Sequence, residues 1–123
     1  MLVFMSAGVC WADEETGIKN VNAEEAKALL ADASKKIMVL DVRTPAEYKE
    51  GHIKGAKLID LNGSEFEAKL EALDKSGSYL LHCRSGGRSS VALAKLKKLG
   101  FKSVYHLDGG ILAWQDAGGA VEK

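Results

Sequence analysis

The sequence carries no excess of either charge, because 17 lysines and arginines offset 17 aspartates and glutamates. A basic surplus would favour nucleic acid or an anionic membrane surface as a partner, and its absence gives no reason to expect either for the mature chain. Internal repeats and linkers are also lacking, and 123 residues suit one domain with a single core. Attraction of an anion must therefore come from a local group of residues.

Long apolar runs are absent too, and the uncharged stretch at residues 1–12 is too short to span a bilayer. It ends in Trp11-Ala12 and is followed at once by Asp13, Glu14 and Glu15, a pattern typical of a secretory signal with cleavage after Ala12. We therefore expect a leader at residues 1–12, a domain at residues 13–123 and export to the periplasm or another exported compartment. Because no Lys or Arg precedes the apolar stretch, a cytoplasmic location stays open.

Cysteine is scarce, with only Cys10 and Cys83 in the chain. Removal of the leader would take Cys10 with it and leave Cys83 as the one thiol of the mature protein. A lone thiol forms no internal disulfide, which argues against a disulfide framework and against a cysteine metal site. We expect no metal, no cofactor and a monomer.

Short apolar runs alternate with segments of helical periodicity along the rest of the chain. Residues 37–40, Ile-Met-Val-Leu, lack polar alternation, which is typical of a strand covered on both faces of a parallel sheet. Further strands are predicted at 56–59, 79–81 and 104–107, with an edge strand near Ile18. Helices are predicted from an Asn22 cap to about Asp32, from Pro45 to about residue 50, and at 64–73, 89–99 and 111–116. This order predicts an α/β domain with a parallel sheet of four to five strands and helices on both faces.

The chemistry-bearing residues concentrate between the predicted strand at 79–81 and the helix at 89–99. A strand that passes through a glycine-bearing loop into a helix aims backbone N–H groups, and the positive end of the helix dipole, at the centre of the loop. Cys83 lies in that loop, where its thiol would ionise more readily to the thiolate, which is the nucleophile. Arg84 and Arg88 add two cations that bind oxyanions, and Gly86 and Gly87 permit a tight curl.

A free cysteine is often no more than a small buried hydrophobe, and a glycine-bearing turn is common in α/β proteins. Here two arginines and two glycines occupy one short loop that opens a helix, which is the electropositive setting that a reactive cysteine needs. The stretch therefore predicts a cysteine nucleophile held by an anion-binding loop.

The loop Cys83-Arg84-Ser85-Gly86-Gly87-Arg88 resembles the six-residue active-site loop, C-x-x-G-x-R, of the single-domain rhodaneses, a family of sulfurtransferases. The resemblance covers residues 21–117, and further motifs follow the order of that family. They are Asp41-Val42-Arg43 with Glu47-Tyr48, Gly51-His52-Ile53 with Gly55-Ala56, and Leu107-Asp108-Gly109-Gly110 with Trp114. The resemblance implies the rhodanese fold, a three-layer α/β/α arrangement around the parallel sheet.

The resemblance also implies that Cys83 attacks the outer sulfur of a donor such as thiosulfate, carries that sulfur as a persulfide and passes it to a thiophilic acceptor. Backbone N–H donors would stabilise the persulfide anion as an oxyanion hole stabilises an oxygen. Arg84 and Arg88 would orient the sulfonate end of the donor, with surface solubility as the alternative role of either side chain. The other substrate-binding positions of the loop are Ser85, Gly86, Gly87 and Ser89.

Asp41, Arg43 and Glu47 are expected to support the loop rather than to react. A buried carboxylate at the end of a strand, paired to an arginine or to loop amides, would brace the site. His52 and His82 are expected to be hydrogen-bonded structural residues, since no second group of metal-ligand residues accompanies them.

Two rival functions stay open at this point. One is a persulfide carrier or thiol relay, which receives sulfur from a protein partner and barely uses thiosulfate. The other is a cysteine phosphatase or arsenate reductase, since those enzymes also have His-Cys before a helix. They hold one more residue between the cysteine and the arginine than the four that separate Cys83 from Arg88. The shorter loop favours a single sulfur atom over a tetrahedral oxyanion.

Overall fold

The structure, a computed structural model, describes residues 17–123. The predicted leader at residues 1–12, with Cys10, lies outside this range, so export stays a prediction. Within residues 17–123, no helix is both long and apolar enough to cross a membrane.

Five strands and five α-helices alternate along residues 17–123. The strands are β1 (Ile18–Val21), β2 (Ile37–Asp41), β3 (Lys57–Leu58), β4 (Ser78–His82) and β5 (Ser103–Leu107). The helices are α1 (Ala23–Ala31), α2 (Pro45–Glu50), α3 (Phe66–Glu71), α4 (Gly87–Lys98) and α5 (Gly110–Asp116). The predicted capping boxes are present, with Asn22 and Glu25 at the start of α1 and Thr44 and Glu47 at the start of α2.

The strands form one parallel sheet in the order β1-β5-β4-β2-β3. β4 lies in the centre, and its residues Ser78–His82 pair in register with Ile37–Asp41 of β2. Because all five strands run the same way, their carboxyl ends meet at one edge, which is where open α/β sheets place their sites. The predicted α/β class with a parallel sheet is confirmed.

The apolar runs of the central strands divide between the two faces of the sheet, because successive side chains of a strand point in opposite directions. Leu40 and Leu81 pack with Leu70 of α3 and Leu96 of α4 on one face. The opposite face packs against α1, α2 and α5, and its buried residues include Val39, Leu80, Ala26 and Trp114. The two cores give the three layers predicted, and truncation of a buried leucine to alanine in either one should cost about 2–5 kcal/mol.

β3, α3 and α4 differ most clearly from the sequence-based expectation. β3 is shorter than the predicted 56–59, and α3 is shorter than the predicted 64–73 at both ends. Two turns precede α3, with Gly63 N–H donating to Asp60 O and Phe66 N–H donating to Gly63 O, so regular helical bonding starts only at Phe66. α4 begins two residues earlier than predicted because Gly86, at a φ of 116°, turns the chain into the helix directly.

Candidate active site

Cys83 follows β4 directly, at the carboxyl edge of the sheet and at the entrance to α4. The residue is buried, with 1% of its surface exposed, and one side of it packs into the apolar core formed with α3 and α4. Its sulfur nevertheless meets the loop, because the Gly86 N–H donates a hydrogen bond to Sγ at 3.1 Å. The loop therefore curls around the sulfur rather than away from it.

The start of α4 has no side-chain cap, since its N-cap residue is Gly86, which has no side chain to accept from the first amides. The first N–H groups of a helix need an acceptor and carry the positive end of its dipole. α4 is a helix of 12 residues, long enough for that dipole to be developed. The amides at its start are therefore available to an anion on Cys83.

The curl of the loop depends on close backbone contact with the turn that precedes α5. A Cβ atom at Gly86 would overlap the carbonyl oxygen of Asp108, and a Cβ at Gly110 would overlap the carbonyl of Arg84. The N–H groups of Ile111 and Leu112 donate to the carbonyls of Cys83 and Arg84 at 3.0 and 3.2 Å. These bonds satisfy the loop carbonyls from outside, which leaves the N–H side of the loop for the sulfur.

The environment of Cys83 acts on its ionisation in two opposite directions. Burial raises the pKa of the thiol, but hydrogen bonds from the Ser89 side chain and from the N–H groups of Ser89, Gly86 and Ser85 lower it. The net effect is a pKa below the ordinary value of a cysteine. A larger share of thiolate at neutral pH follows, and the thiolate is the form that attacks.

The two arginines of the loop take different places. Arg88 points at α2, where its two terminal nitrogens bind the carboxylate oxygens of Glu47 at 2.7 and 2.9 Å. The hydrogen bonds from Arg88 lower the pKa of Glu47 to about 2, so the pair is ionised throughout the physiological range. Arg84 is exposed, and no ion pair to another residue of 17–123 involves it. Arg84 is thus the cation of the loop that a solute meets first.

Beside Cys83, a second cluster fills the end of β2. Asp41 is fully buried and receives hydrogen bonds from Nε and Nη2 of Arg43 at 2.9 and 2.7 Å. Nη2 of Arg43 also donates to the carbonyl of Gly51 at 2.8 Å, which ties the end of α2 to the strand. This arrangement is the paired, buried support that the sequence suggested for Asp41 and Arg43, whereas their part in catalysis stays a prediction.

The two histidines named from the sequence make hydrogen bonds within the fold. His52 stacks on the ring of Tyr48 at 3.8 Å between centroids, and its Nδ1 lies 2.9 Å from the Tyr48 carbonyl. His82 is fully buried, with Nδ1 2.9 Å from the Cys83 carbonyl, and its Nε2 has no hydrogen-bond partner. Burial lowers the pKa of His82 more than the nearby Asp41 raises it, so the ring is neutral at pH 7.

A third histidine, His106 of β5, joins the site although the sequence did not single it out. Its Nε2 lies 2.8 Å from Oγ of Ser89, and its Nδ1 lies 3.0 Å from Oδ1 of Asn20. The available signal was its position two residues after Val104, on the buried face of a strand. A buried polar residue at such a position needs a partner, and the partner here is Ser89 in the first turn of α4.

A cleft of about 220 Å³ lies beside the loop, between α2 and α5. Its lining residues include Arg84, Glu50, Leu112 and Gln115. Within residues 17–123, no three histidine, cysteine, aspartate or glutamate side chains come together in a group that could hold a metal ion. The chemistry that the site can perform from its own groups is attack by a sulfur anion stabilised by backbone amides.

Comparison with known proteins agrees with this geometry. The model of the rhodanese-like domain family matches residues 22–117. The probable adenylyltransferase/sulfurtransferase MoeZ of Mycobacterium tuberculosis is 43% identical over 68% of the chain, which spans only 21% of MoeZ. Thiosulfate sulfurtransferase 18 of Arabidopsis thaliana is 30% identical, and the alignment covers 91% of the chain and 89% of that protein.

A solved structure shows the same fold. The crystal structure of a rhodanese-related protein from Thermoplasma volcanium superposes with a TM-score of 0.74 at 31% sequence identity, over 85% of this chain and 97% of that one. The family model covers most of the chain, and the relatives carry sulfurtransferase names at modest identity. The chain belongs to the rhodanese-like domain family.

Proposed function

We propose that the protein is a sulfurtransferase that takes sulfane sulfur from thiosulfate or a related donor and carries it as a persulfide on Cys83. The observation that carries the proposal is the Gly86 N–H directed at Sγ at 3.1 Å from the uncapped start of α4. An anion at that point is stabilised by the amides and the helix dipole without a metal or a covalent partner.

The reaction has two steps. The Cys83 thiolate attacks the outer sulfur of thiosulfate, a new S–S bond forms, and the bond to the sulfonate sulfur breaks with its electron pair leaving on sulfite. A thiophilic acceptor then attacks the outer sulfur of the persulfide, and the electron pair of that S–S bond returns to Cys83 as the thiolate. The negative charge is on Sγ in the thiolate and on the outer sulfur in the ionised persulfide, so loop amides directed at this position would serve both forms, which favours pre-formed donors over groups that must move.

The two arginines of the loop have different roles in this proposal. Arg88, with both terminal nitrogens on Glu47, holds α4 and α2 together at the site. Arg84 is exposed at the edge of the cleft and is the group that meets the sulfonate of the donor. Arg84→Ala should therefore raise KM for thiosulfate about tenfold with a small change in kcat, since one charge-assisted contact is lost.

Mass spectrometry tests the function directly. Incubation with thiosulfate should add the mass of one sulfur atom to Cys83, and a thiol or cyanide added afterwards should remove it. Cys83→Ser is the matched control and should gain no mass. An intact, unmodified thiol after incubation with excess thiosulfate would contradict the proposal, provided that the protein is shown to be folded.

The identity to MoeZ favours a second candidate, a persulfide carrier that exchanges sulfur with a protein partner. In MoeZ the matching segment is about one fifth of a protein whose name combines adenylyltransferase and sulfurtransferase. A buried sulfur with 1% of its residue exposed also restricts free collisions with small solutes. A carrier of this kind would accept sulfur from a protein persulfide in a Cys83-dependent manner while thiosulfate turnover stays negligible.

Hydrolysis of an aryl phosphate separates both proposals from the phosphatase alternative. The loop keeps four residues between Cys83 and Arg88, and Arg88 is engaged by Glu47 rather than turned toward a tetrahedral anion. We expect no release of phosphate above the level given by Cys83→Ser. A measurable Cys83-dependent release would favour the phosphatase.

A further inference from the structure

The cleft between α2 and α5 is joined to the reactive loop by main-chain hydrogen bonds. Ile111 and Leu112 line the cleft, and their N–H groups donate to the carbonyls of Cys83 and Arg84 at 3.0 and 3.2 Å. Arg84 itself lines the cleft as well. A small molecule in this cleft would therefore lie beside the loop that holds the sulfur.

The charged residues that line the cleft are of two kinds. Arg43 and Glu47 hold short ion pairs, each at 2.7 Å, with residues that do not line the cleft. In the part of the chain that the structure describes, the exposed side chains of Arg84 and Glu50 make no hydrogen bond or ion pair. The cleft therefore offers one unpaired cation and one unpaired carboxylate to a solute.

The size of the cleft limits what those two charges can hold. A volume of 220 Å³ has room for about seven water molecules at about 30 Å³ each, and so for a ligand of about seven non-hydrogen atoms. Leu112 adds an apolar wall, and Gln115 adds a neutral amide. Thiosulfate is smaller than this volume and carries only negative charge, so it has nothing to bind the carboxylate of Glu50.

We propose that the cleft binds the sulfur acceptor, and that the acceptor is a free amino-acid thiol of the size of cysteine. Its carboxylate binds Arg84, its ammonium group binds Glu50, and its thiol faces the loop. This inference rests on the proposed function, because an acceptor is needed only if Cys83 carries a sulfur. Arg84 binds donor and acceptor in turn, since sulfite leaves before the acceptor enters.

The transfer is a thiol–persulfide exchange that follows the rules of thiol–disulfide exchange. The acceptor thiol loses its proton to water, and the resulting thiolate attacks the outer sulfur of the persulfide. A new S–S bond forms, and the bond from the outer sulfur to Sγ of Cys83 breaks with its electron pair on Sγ. The products are an amino-acid persulfide and the Cys83 thiolate, so the step needs no oxidant or reductant.

Glu50→Gln tests the subsite, because direct contact and the long-range field predict opposite results. The attacking form of cysteine has a net negative charge, so the field alone would leave its reaction unchanged or faster when a nearby negative charge is removed. If Glu50 binds the ammonium group, the variant should lower kcat/KM for cysteine about threefold, which is the effect of one lost ion pair near the surface. For N-acetylcysteine, which has no ammonium group, kcat/KM should not fall.

The measurement is the rate at which each thiol removes sulfur from protein that has first been loaded with thiosulfate. Each thiol is compared with itself in parent and variant, so its own pKa cancels from the ratio. Glu71→Gln is the matched control, since it makes the same change in charge at an exposed residue of α3 and should leave both rates unchanged. An equal fall for cysteine and N-acetylcysteine in Glu50→Gln, or no fall for cysteine, would overturn the amino-acid subsite.

A second assay separates this inference from the proposed function. The Cys83 thiolate can exchange with cystine, the disulfide of cysteine, and form a mixed disulfide without any transfer of sulfane sulfur. Glu50→Gln should lower this rate about threefold, and it should not lower the rate with diacetylcystine, which has no ammonium group. This pattern without persulfide formation from thiosulfate would contradict the sulfurtransferase alone. Normal persulfide formation with no such difference between the two disulfides would contradict the subsite alone.

Discussion

Two neighbouring strand-to-helix connections lie at the same edge of the sheet, but their helices start with different hydrogen bonds. β2 leads into α2 and β4 leads into α4, and the two strands are paired in register. α2 starts with a capping box, in which Thr44 Oγ1 accepts from Glu47 N–H and Glu47 Oε1 accepts from Thr44 N–H. α4 starts at a glycine with no side-chain cap, and Gly86 N–H points at a sulfur instead. The first N–H groups of a helix can bind an anion when no capping side chain accepts their hydrogen bonds.

Glu47 connects the two halves of this comparison. One of its carboxylate oxygens accepts from the N–H and the hydroxyl of Thr44, and both bind Arg88 of α4. Glu47 of the capped helix α2 therefore holds the uncapped helix α4 in place through Arg88. Three variants test how far the difference between the two connections reaches.

Gly86→Ala should have the largest effect, because it changes the N-cap residue of α4, whose N–H binds the sulfur. The new Cβ would overlap the Asp108 carbonyl at a φ of 116°, which side chains rarely adopt. We expect a loss of about 2–4 kcal/mol in the free energy of unfolding, measured by urea denaturation, and a rate of persulfide formation at least tenfold lower.

Gly87→Ala is the matched folding control for that variant. A Cβ at Gly87, the first residue of α4, meets no atom within 4 Å. Its free energy of unfolding should stay within about 0.5 kcal/mol of the parent or rise slightly, because alanine favours the helix. Equal losses in the two variants would show that close contact at Gly86 does not hold the loop.

Glu47→Gln should have the next largest effect, because it breaks the link between the two helices. The pKa of Glu47 is lowered from 4.5 to about 2 in the folded protein, so its carboxylate stabilises the fold above the unfolded value. That contribution is lost as the pH falls through the folded pKa. We expect the variant to be less stable by about 2 kcal/mol at pH 7, with the deficit shrinking between about pH 5 and pH 2.

Urea denaturation of the parent and variant across that range measures the deficit. Glu50→Gln, an exposed charge-matched change on the same helix, should stay within about 0.5 kcal/mol of the parent at every pH. A Glu47→Gln deficit that is constant with pH would mean that the carboxylate charge is not what stabilises the fold.

Thr44→Ala should have the smallest effect, since it removes the cap of α2 and keeps both bonds between Glu47 and Arg88 of α4. The lost bond to Glu47 N–H should cost about 1 kcal/mol of unfolding free energy, and the rate of persulfide formation should change less than twofold. Thr44→Ser keeps the hydroxyl and should restore most of the stability. If Thr44→Ala lowered the rate of sulfur transfer as much as Gly86→Ala does, the start of α4 would not differ from the start of α2 in its importance for the site.

Local patterns were enough to predict much of this fold and site. The caps at Asn22 and Thr44, the apolar runs of β2 and β4, and the loop after His82 are each set by residues close together in sequence. Boundaries near residues 60–66 were missed because successive turns around Asp60 and Gly63 delay the helix. Those turns depend on backbone bonds that apolar periodicity does not reveal.

The long-range pairs could not be predicted from the sequence. Glu47 and Arg88 lie 41 residues apart, and only the strand order brings their helices together. His106 gave a weak signal as a buried polar residue, but its partners Ser89 and Asn20 come from two other elements. The loop at residues 83–88 could be singled out from the sequence as a candidate site, whereas the contacts of His106 became visible only when β1, β4 and β5 were side by side.

The contact between the loop and the turn before α5 limits how this site can change. Gly86 lies against the Asp108 carbonyl, and Gly110 lies against that of Arg84. These close backbone contacts tie the conformation of the loop to that of the turn, so we expect an extra residue in the loop to displace the start of α5. A longer loop at residues 83–88 would therefore need a matching change at residues 108–110.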